Sequence, residues 1–271
     1  MAPVVKYITV YPVKSLDGVT VQKAQIGTGG SLIHDREYAI FDADGKYVNG
    51  KKNALVHLLR SQVDFENQII SFKHEMASAW NQFRFAEDKT TINEFLSGFF
   101  GMPVSLQQHT DGGFLDVPVK SGVTVLSTAS LKQVGNWFSD MPLEETRKRF
   151  RATIEIDNVP AFWEDHLFNS EESAIEFKIG DATFLGLAPR ARCVVPTRHP
   201  QTGDLIHGFQ KTFVTKREAK LPDWSNLKEY DHSYYLSVDC YIPPTEFGKW
   251  IEVGEELEIV GKKRFADLFI Q

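Results

Sequence analysis

Cysteine is scarce in this chain: of 271 residues only Cys193 and Cys240 are cysteine. That scarcity excludes a secreted disulfide framework and a four-cysteine zinc site, and a reducing, cytoplasmic setting is expected. Long hydrophobic runs are missing too. No stretch reaches the ~18 apolar residues of a membrane-spanning helix, and Val4–Val13 is broken by Lys6 and Pro12 with no small-residue cleavage site behind it, so neither membrane nor secretory signal is expected. Basic charge does not predominate: 30 Lys and Arg face 36 Asp and Glu, a net charge of -6, which argues against a nucleic-acid surface. There is no G-x-S-x-G nucleophile elbow. Gly27-Thr28-Gly29-Gly30 continues into Leu32 with no helical pattern behind it, as a dinucleotide fingerprint would require. The eight histidines lack paired ligand spacing, and Asp42-Ala43-Asp44-Gly45 is only a fragment of a calcium loop.

What is present is ordinary globular composition, with 42% apolar, 12% aromatic and 24% charged residues. At about 150 residues per domain the length allows one or two domains. Most periodic segments alternate at period 2: Val5–Val10, Val19–Ile26, Glu37–Asp42, Ala174–Ile179, Ala182–Leu187 and Tyr234–Tyr241 read as strands. Asp44-Gly45 and Gly180-Asp181 read as two-residue hairpin turns. Helices are few. Thr91-Ile92-Asn93-Glu94 is a capping-box pattern ahead of Phe95, Leu96, Phe99 and Phe100, and a second helix is expected to start within Ser127–Ser130. Asp111-Gly112-Gly113 is the expected boundary, dividing the chain into 1–112, 113–262 and a tail, 263–271. The expected class is mainly β (α+β), with two β-barrel-like regions and a few short helices.

Charge is unevenly placed. Residues 190–220 hold Arg190, Arg192, Arg198, Lys211, Lys216, Arg217 and Lys220 against Asp204 and Glu218. This is either a solvated loop or a site for a small anion. Within it lies Pro189-Arg190-Ala191-Arg192-Cys193-Val194-Val195-Pro196-Thr197. Cationic neighbours favour the thiolate, the form that attacks or ligates metal. On a regular strand, however, Cys193 would point away from its neighbours, and a small buried hydrophobe is the commoner fate of a free thiol. Both readings stay open at this level, whereas Cys240, without a basic neighbour, reads as structural. Near the other end, Lys14-Ser15 and Arg36 stand at strand ends, where loops can present cations and a hydroxyl to an oxyanion.

The order YPVKS, HDREYAIFDADGKYV, INEFLSGFFGMPV, VLSTASL, RFRATIEI, FKIGDATF and ARCVVPTRHPQTG resembles the MOSC-domain family. It is most similar to the subgroup with an N-terminal MOSC β-barrel region, which includes the amidoxime-reducing components and their bacterial relatives. The resemblance runs from about Val5 to about Val260 and implies a molybdenum cofactor (molybdopterin) in a cleft between the two β regions. By the same resemblance Cys193 is the catalytic residue and metal ligand. Lys14, Ser15 and Arg36 match residues that grip the pterin phosphate, and Arg151 the arginine of an R-P-N motif. Thr153 stands where that motif has its asparagine, Arg192 precedes the ligand cysteine, and Ser127 and Thr128 match further cofactor contacts. Here the R-P-N motif reads Arg151-Ala152-Thr153, Ala191 replaces a serine, and Pro196-Thr197-Arg198-His199 stands where T-T-V-D is usual. The implied activity is an oxidoreductase that reduces N-hydroxylated or N-oxide-type small molecules with electrons from a separate flavin or iron–sulfur partner. The alternatives are a sulfur carrier or sulfurtransferase using a Cys193 persulfide, and a non-catalytic cofactor-binding module. Pyridoxal phosphate has also been associated with the family. It would need Lys14, and no supporting aspartate or arginine pattern accompanies that lysine.

Overall fold

In the computed structural model, which describes residues 2–117, 122–139, 141–170 and 172–265, the chain begins with β1 (Val4–Val10), β2 (Val19–Val21), β3 (Lys23–Gln25) and β4 (Tyr38–Asp42). There follow β5 (Leu59–Asp64), β6 (Ile69–His74), β7 (Asn81–Arg84), α1 (Lys89–Phe100) and β8 (Val104–Gln108). The second half runs β9 (Val123–Ser127), α2 (Thr128–Gly135), α3 (Leu143–Phe150), β10 (Ile154–Asp157), β11 (Phe168–Ser170), β12 (Ser173–Ile179) and β13 (Ala182–Ala191). It ends with α4 (Phe209–Ala219), β14 (Tyr235–Tyr241), β15 (Trp250–Glu252) and β16 (Leu257–Arg264). The fold is mainly β, of the α+β class. Of the expected tail, residues 266–271 lie outside the described residues.

Local chemistry explains the turns. Gly45 takes a left-handed φ of 72°, and Asp42 Oδ1 accepts the backbone N–H groups of Asp44 and Lys46, closing the loop after β4. Ile179 pairs with Ala182 across Gly180-Asp181, with Gly180 at φ 57°. The first helix differs from its sequence signature. It begins at Lys89, and the Asp88 cap makes no side-chain bond to it, since Asp88 Oδ2 accepts from Arg84 N instead. Asn93 of the capping-box pattern lies inside the helix and holds β8 by accepting from Leu106 N at 2.9 Å. The α2 start is as expected: Ser127 accepts from Ser130 N.

The two largest of four buried clusters among the described residues organise the chain. A nine-stranded sheet runs β11-β12-β13-β14-β9-β10-β1-β2, with β16 also on β12. Its β9–β10 pair is parallel and the crossover between them carries α2 and α3, as a parallel connection requires. Ile8, Val125, Ile154, Ile156, Phe177, Phe184 and Val238 form its buried layer. The second core packs α1 against β4–β8 and β5-β6-β7, through Tyr38, Ile40, Leu59, Ile70, Phe72, Leu96 and Phe100. Among the described residues the sheets stay open rather than closing into barrels. The short β2, three residues long, ends one edge, and short edges are how open sheets avoid unwanted pairing. No helix among the described residues is long and apolar enough to cross a membrane.

A polar cluster sits inside this apolar frame. Glu164 is fully buried. Its Oε2 accepts from Ser130 Oγ at 2.9 Å, while Oε1 has no partner. Burial, reinforced by adjacent Asp165, pushes the Glu164 carboxyl from 4.5 up to about 7. Between those values the folded protein keeps a proton that the unfolded chain releases, so stability falls as pH rises through the window and levels off above it. The loss is on the order of 3 kcal/mol at most. Urea denaturation across pH 4.5 to 7 is expected to show this decline in the wild type and a flatter profile in Glu164→Gln, whose side chain stays neutral.

Candidate functional site

Several chain segments are brought to one seam by strand pairing. β1 runs antiparallel to β10, with Ile8 opposite Ile154, and Thr9 N donates to Thr153 O at 2.8 Å. The residues beyond β1, Tyr11–Ser15, therefore lie beside the residues before β10, Arg151–Thr153. From the other side comes the end of β13. Its register against β14 shifts between Pro189 and Ala191, a bulge that re-aims the strand end. With this bulge and the strand's end at Ala191, Arg190, Arg192 and Cys193 all line one cleft, a convergence that regular alternation would forbid. The smaller core contributes Arg36, just before β4, and the segment Asn49–Lys51.

The cleft has a cavity of 110 Å³. Lys14, Ser15, Arg36, Arg151, Thr153, Arg192 and Cys193 line it together. Ser127 and Thr128 do not. Ser127 Oγ is bonded to Ser130 Oγ at 2.7 Å and Thr128 Oγ1 donates to Glu155 Oε1 at 2.7 Å, so both hydroxyls are spent on holding α2. Sequence reasoning missed Lys51, His57, Asp116 and Arg149, which also line the cleft. Lys51, His57 and Asp116 come from loops and a short turn outside the quoted motifs, and Arg149 opens RFRATIEI at the end of a charged helix but was given no role there.

Lysine and arginine dominate the lining. Lys14, Arg36, Lys51, Arg149, Arg151, Arg190 and Arg192 face a single carboxylate, Asp116. Part of this charge is structural. Arg149, 2% exposed, donates Nη1 to Pro196 O at 2.8 Å and also to Arg198 O, and pairs with Glu145, tying α3 to the loop after Cys193. Arg36 bonds Asp35, which accepts Tyr11 N at 2.8 Å. The Tyr11 ring lies under both the Arg36 and Arg151 guanidiniums, 4.6 and 4.0 Å from its centroid. Arg192 is less fully answered: Nη2 donates to Phe150 O at 2.7 Å, but buried Nε and Nη1 have no partner. Burial, then Arg190, lowers its pKa. Unmet buried donors beside surplus positive charge are suited to an anion.

Cys193 is exposed. Val195 N donates to its Sγ at 3.5 Å, and its carbonyl accepts from Tyr234 Oη at 3.3 Å, so the backbone is fixed while the sulfur stays accessible. Cys240 is buried in the large sheet and burial raises its thiol well above the ordinary value. Among the described residues no three His, Cys, Asp or Glu side chains gather as a metal site, so Cys193 offers a single donor. A larger cavity of 470 Å³ shares Ser15, His57, Arg149, Arg151 and Val195 with this cleft and extends to Arg198, Arg60 and Trp80. Arg198 Nε is likewise buried and unpartnered. His57 borders both spaces, and burial, together with Arg198, Arg151 and Arg60, lowers its pKa against the bond to the Gly50 carbonyl. The ring is therefore neutral at pH 7.

Residues 2–141 match the family described as the MOSC N-terminal beta barrel domain. A molybdenum cofactor sulfurase from Oryza sativa subsp. japonica is 20% identical over 93% of this chain and 35% of the relative. The chain thus spans about a third of the length of that curated relative. Among solved structures, the YUAD protein from Bacillus subtilis aligns at 11% identity over 96% of each chain, with a TM-score of 0.39.

Three of the eight non-glycine residues with left-handed φ among the described residues line this cleft. Ser15, Arg36 and Arg151 all hold left-handed φ angles, 73°, 54° and 54°, which cost a side-chain-bearing residue on the order of 1 kcal/mol each. Ser15→Gly is expected to raise stability by about 1 kcal/mol or less in chemical denaturation, since glycine relieves the strain but loosens the unfolded chain. Thr153 is the opposite case. Its Oγ1 accepts Thr124 N at 2.7 Å and donates to Thr124 O at 3.1 Å, so Thr153→Ala should destabilise by about 1–3 kcal/mol by stranding buried backbone groups.

Proposed function

Because the chain belongs to the family of the MOSC N-terminal beta barrel domain, we propose that its cationic cleft holds a molybdopterin-type cofactor, with Cys193 as the protein's sulfur ligand to molybdenum. The observation that carries this reading is the convergence of one accessible thiol with a lining of cations, one of which keeps buried N–H groups without partners. The donor set fits: a soft sulfur suits molybdenum, and the guanidiniums suit a phosphate. Arg36, Arg151 and Arg192 would hold the anionic part, and Ser15 would add a hydroxyl. Lys14 can join them once its bonds to Phe114 O and Asp116 are exchanged. Bound, the group would supply two-electron oxidation and reduction at the metal. The adjoining larger cavity would admit a small-molecule substrate. There, if His57 Nε2 donates to Gly50 O, 3.4 Å away, Nδ1 of the neutral imidazole presents a lone pair that can accept a proton or hydrogen bond. The reaction that accords with the resemblance is reduction of N-hydroxylated or N-oxide-type compounds, with electrons arriving from a separate flavin or iron–sulfur protein.

A second reading rests on the exposure of Cys193 and on the similarity to a cofactor sulfurase: the thiol would carry sulfur as a persulfide. Protein purified from cells with an intact cofactor pathway is expected to contain stoichiometric molybdenum and a fluorescent oxidised pterin. Cys193→Ala should lose the metal and turnover, and Cys240→Ala should keep the metal. Metal-free wild-type protein from such cells defeats the cofactor reading. A Cys193 sulfur adduct in intact-mass spectrometry of that material would select the carrier.

A further inference from the structure

The cleft already contains an anion of the chain's own. Lys14 Nζ donates to Asp116 Oδ1 at 2.7 Å, and Arg190 Nη2 reaches Asp116 Oδ2 at 3.4 Å. The two cations are sheltered, with side chains 11% and 19% exposed, whereas the Asp116 side chain is 42% exposed. Burial opposes its charge, yet Lys14, Lys51 and Arg190 together hold its carboxyl down to about 2. The carboxylate thus reaches in from the surface toward fixed cations.

Its segment belongs to no helix or strand and is anchored just before it. Gly113 has φ 70°, and a Cβ there would stand 2.5 Å from Asp35 O. Phe114 N donates to Arg36 O at 2.7 Å and the Phe114 ring packs on Phe41 at 5.3 Å. Asp116 lies two residues beyond this anchor. Among the described residues its side-chain hydrogen bonds go to Lys14 and Arg190. Those cations differ in what they keep without it. Arg190 also pairs with Asp239, while among the described residues Lys14 would retain only the Phe114 carbonyl and the Tyr47 ring, 4.8 Å from Nζ. A sheltered ammonium without a counter-charge is costly, so Lys14 requires either Asp116 or a replacement for it.

We infer that Asp116 is the site's resident counter-ion and that an incoming ligand binds by exchanging its own oxyanion, a phosphate monoester in the first instance, for the Asp116 carboxylate on Lys14 and Arg190. The inference rests on the reading that this cleft takes an anionic ligand. Exchange has a quantitative signature. The intramolecular carboxylate lowers every anion's apparent affinity by the same factor, the ratio of closed to open site. A carboxylate that stayed beside the ligand would instead repel a dianion more than a monoanion.

The test is calorimetric titration of the cofactor-free chain with phenyl phosphate, a dianion, and with its methyl ester, a monoanion. Wild type is compared with Asp116→Asn and Asp116→Ala, and thermal melts confirm that each is folded. Exchange is expected to tighten both probes by a common factor of about tenfold or more in both variants. Unchanged affinities, weaker binding in the variants, or a gain confined to the dianion would each overturn it. Should no probe bind any of the three proteins, the anion-site reading falls together with the inference; binding to wild type without an Asp116 effect sinks only the inference.

Discussion

A buried guanidinium must be answered by acceptors, and much of this structure is arranged around that requirement at Arg149. The side chain is 2% exposed, and its donors go to Glu145 one turn earlier on α3 and to the carbonyls of Pro196 and Arg198. Removing any of these acceptors would strand a buried charge, which is far more expensive than the bond itself. The loop that follows Cys193 is therefore tied to α3. Arg192 repeats the device through Phe150 O at the end of the same helix. One short helix thus positions both flanks of the exposed thiol. Its own C-terminus, Arg151, delivers the next cation in a left-handed conformation.

Some of this was legible from sequence and some was not, and the division follows range. The hairpins at Gly45 and Gly180 are decided by positive φ within a few residues, so Asp-Gly and Gly-Asp pairs announce them. The strand ends that carry Lys14 and Arg36 were visible as punctuation between alternating runs, whereas at Cys193 strand and turn both stayed open. α3 and α4 were not visible. α3 reads LEETRKRF and buries Arg149 beside Phe150, and α4 buries Phe209, Phe213 and Arg217 at intervals of four, so charged residues occupy positions that an apolar stripe would mark. The basic excess of residues 190–220 accordingly divides. Arg190, Arg192 and Arg198 face the two cavities, Arg217 is buried against Asp165, and Lys211, Lys216 and Lys220 are exposed.

The departures from the family pattern have a similarly local explanation. Thr153, in place of the usual asparagine, is not a gap in the site, because its hydroxyl both donates to and accepts from the Thr124 backbone. It braces β10 against β9 at the edge of the cleft. Ser127 and Thr128 carry motif identity without reaching the cavity, since capping α2 and bonding Glu155 consume their hydroxyls. A motif records that a residue type suits its place; hydrogen-bond accounting decides whether a polar atom is left over for a ligand.

That accounting also explains why strain and unmet donors coincide. Ser15, Arg36 and Arg151 each sit in left-handed backbone where glycine would be cheaper, and each lines the same cleft. A glycine would relieve the backbone but present no side chain, so the strain is the cost of placing two guanidiniums and a hydroxyl at a turn. Tyr11 makes this placement tolerable, because its ring supports both guanidiniums while its backbone N–H fixes the Asp35 carboxylate that holds Arg36. Stability is therefore lower here than the same fold could reach, and the difference is held in groups oriented toward the cleft. Beside Cys193 these groups meet an exposed thiol at the cleft, whereas Cys240 is packed into the core of the large sheet.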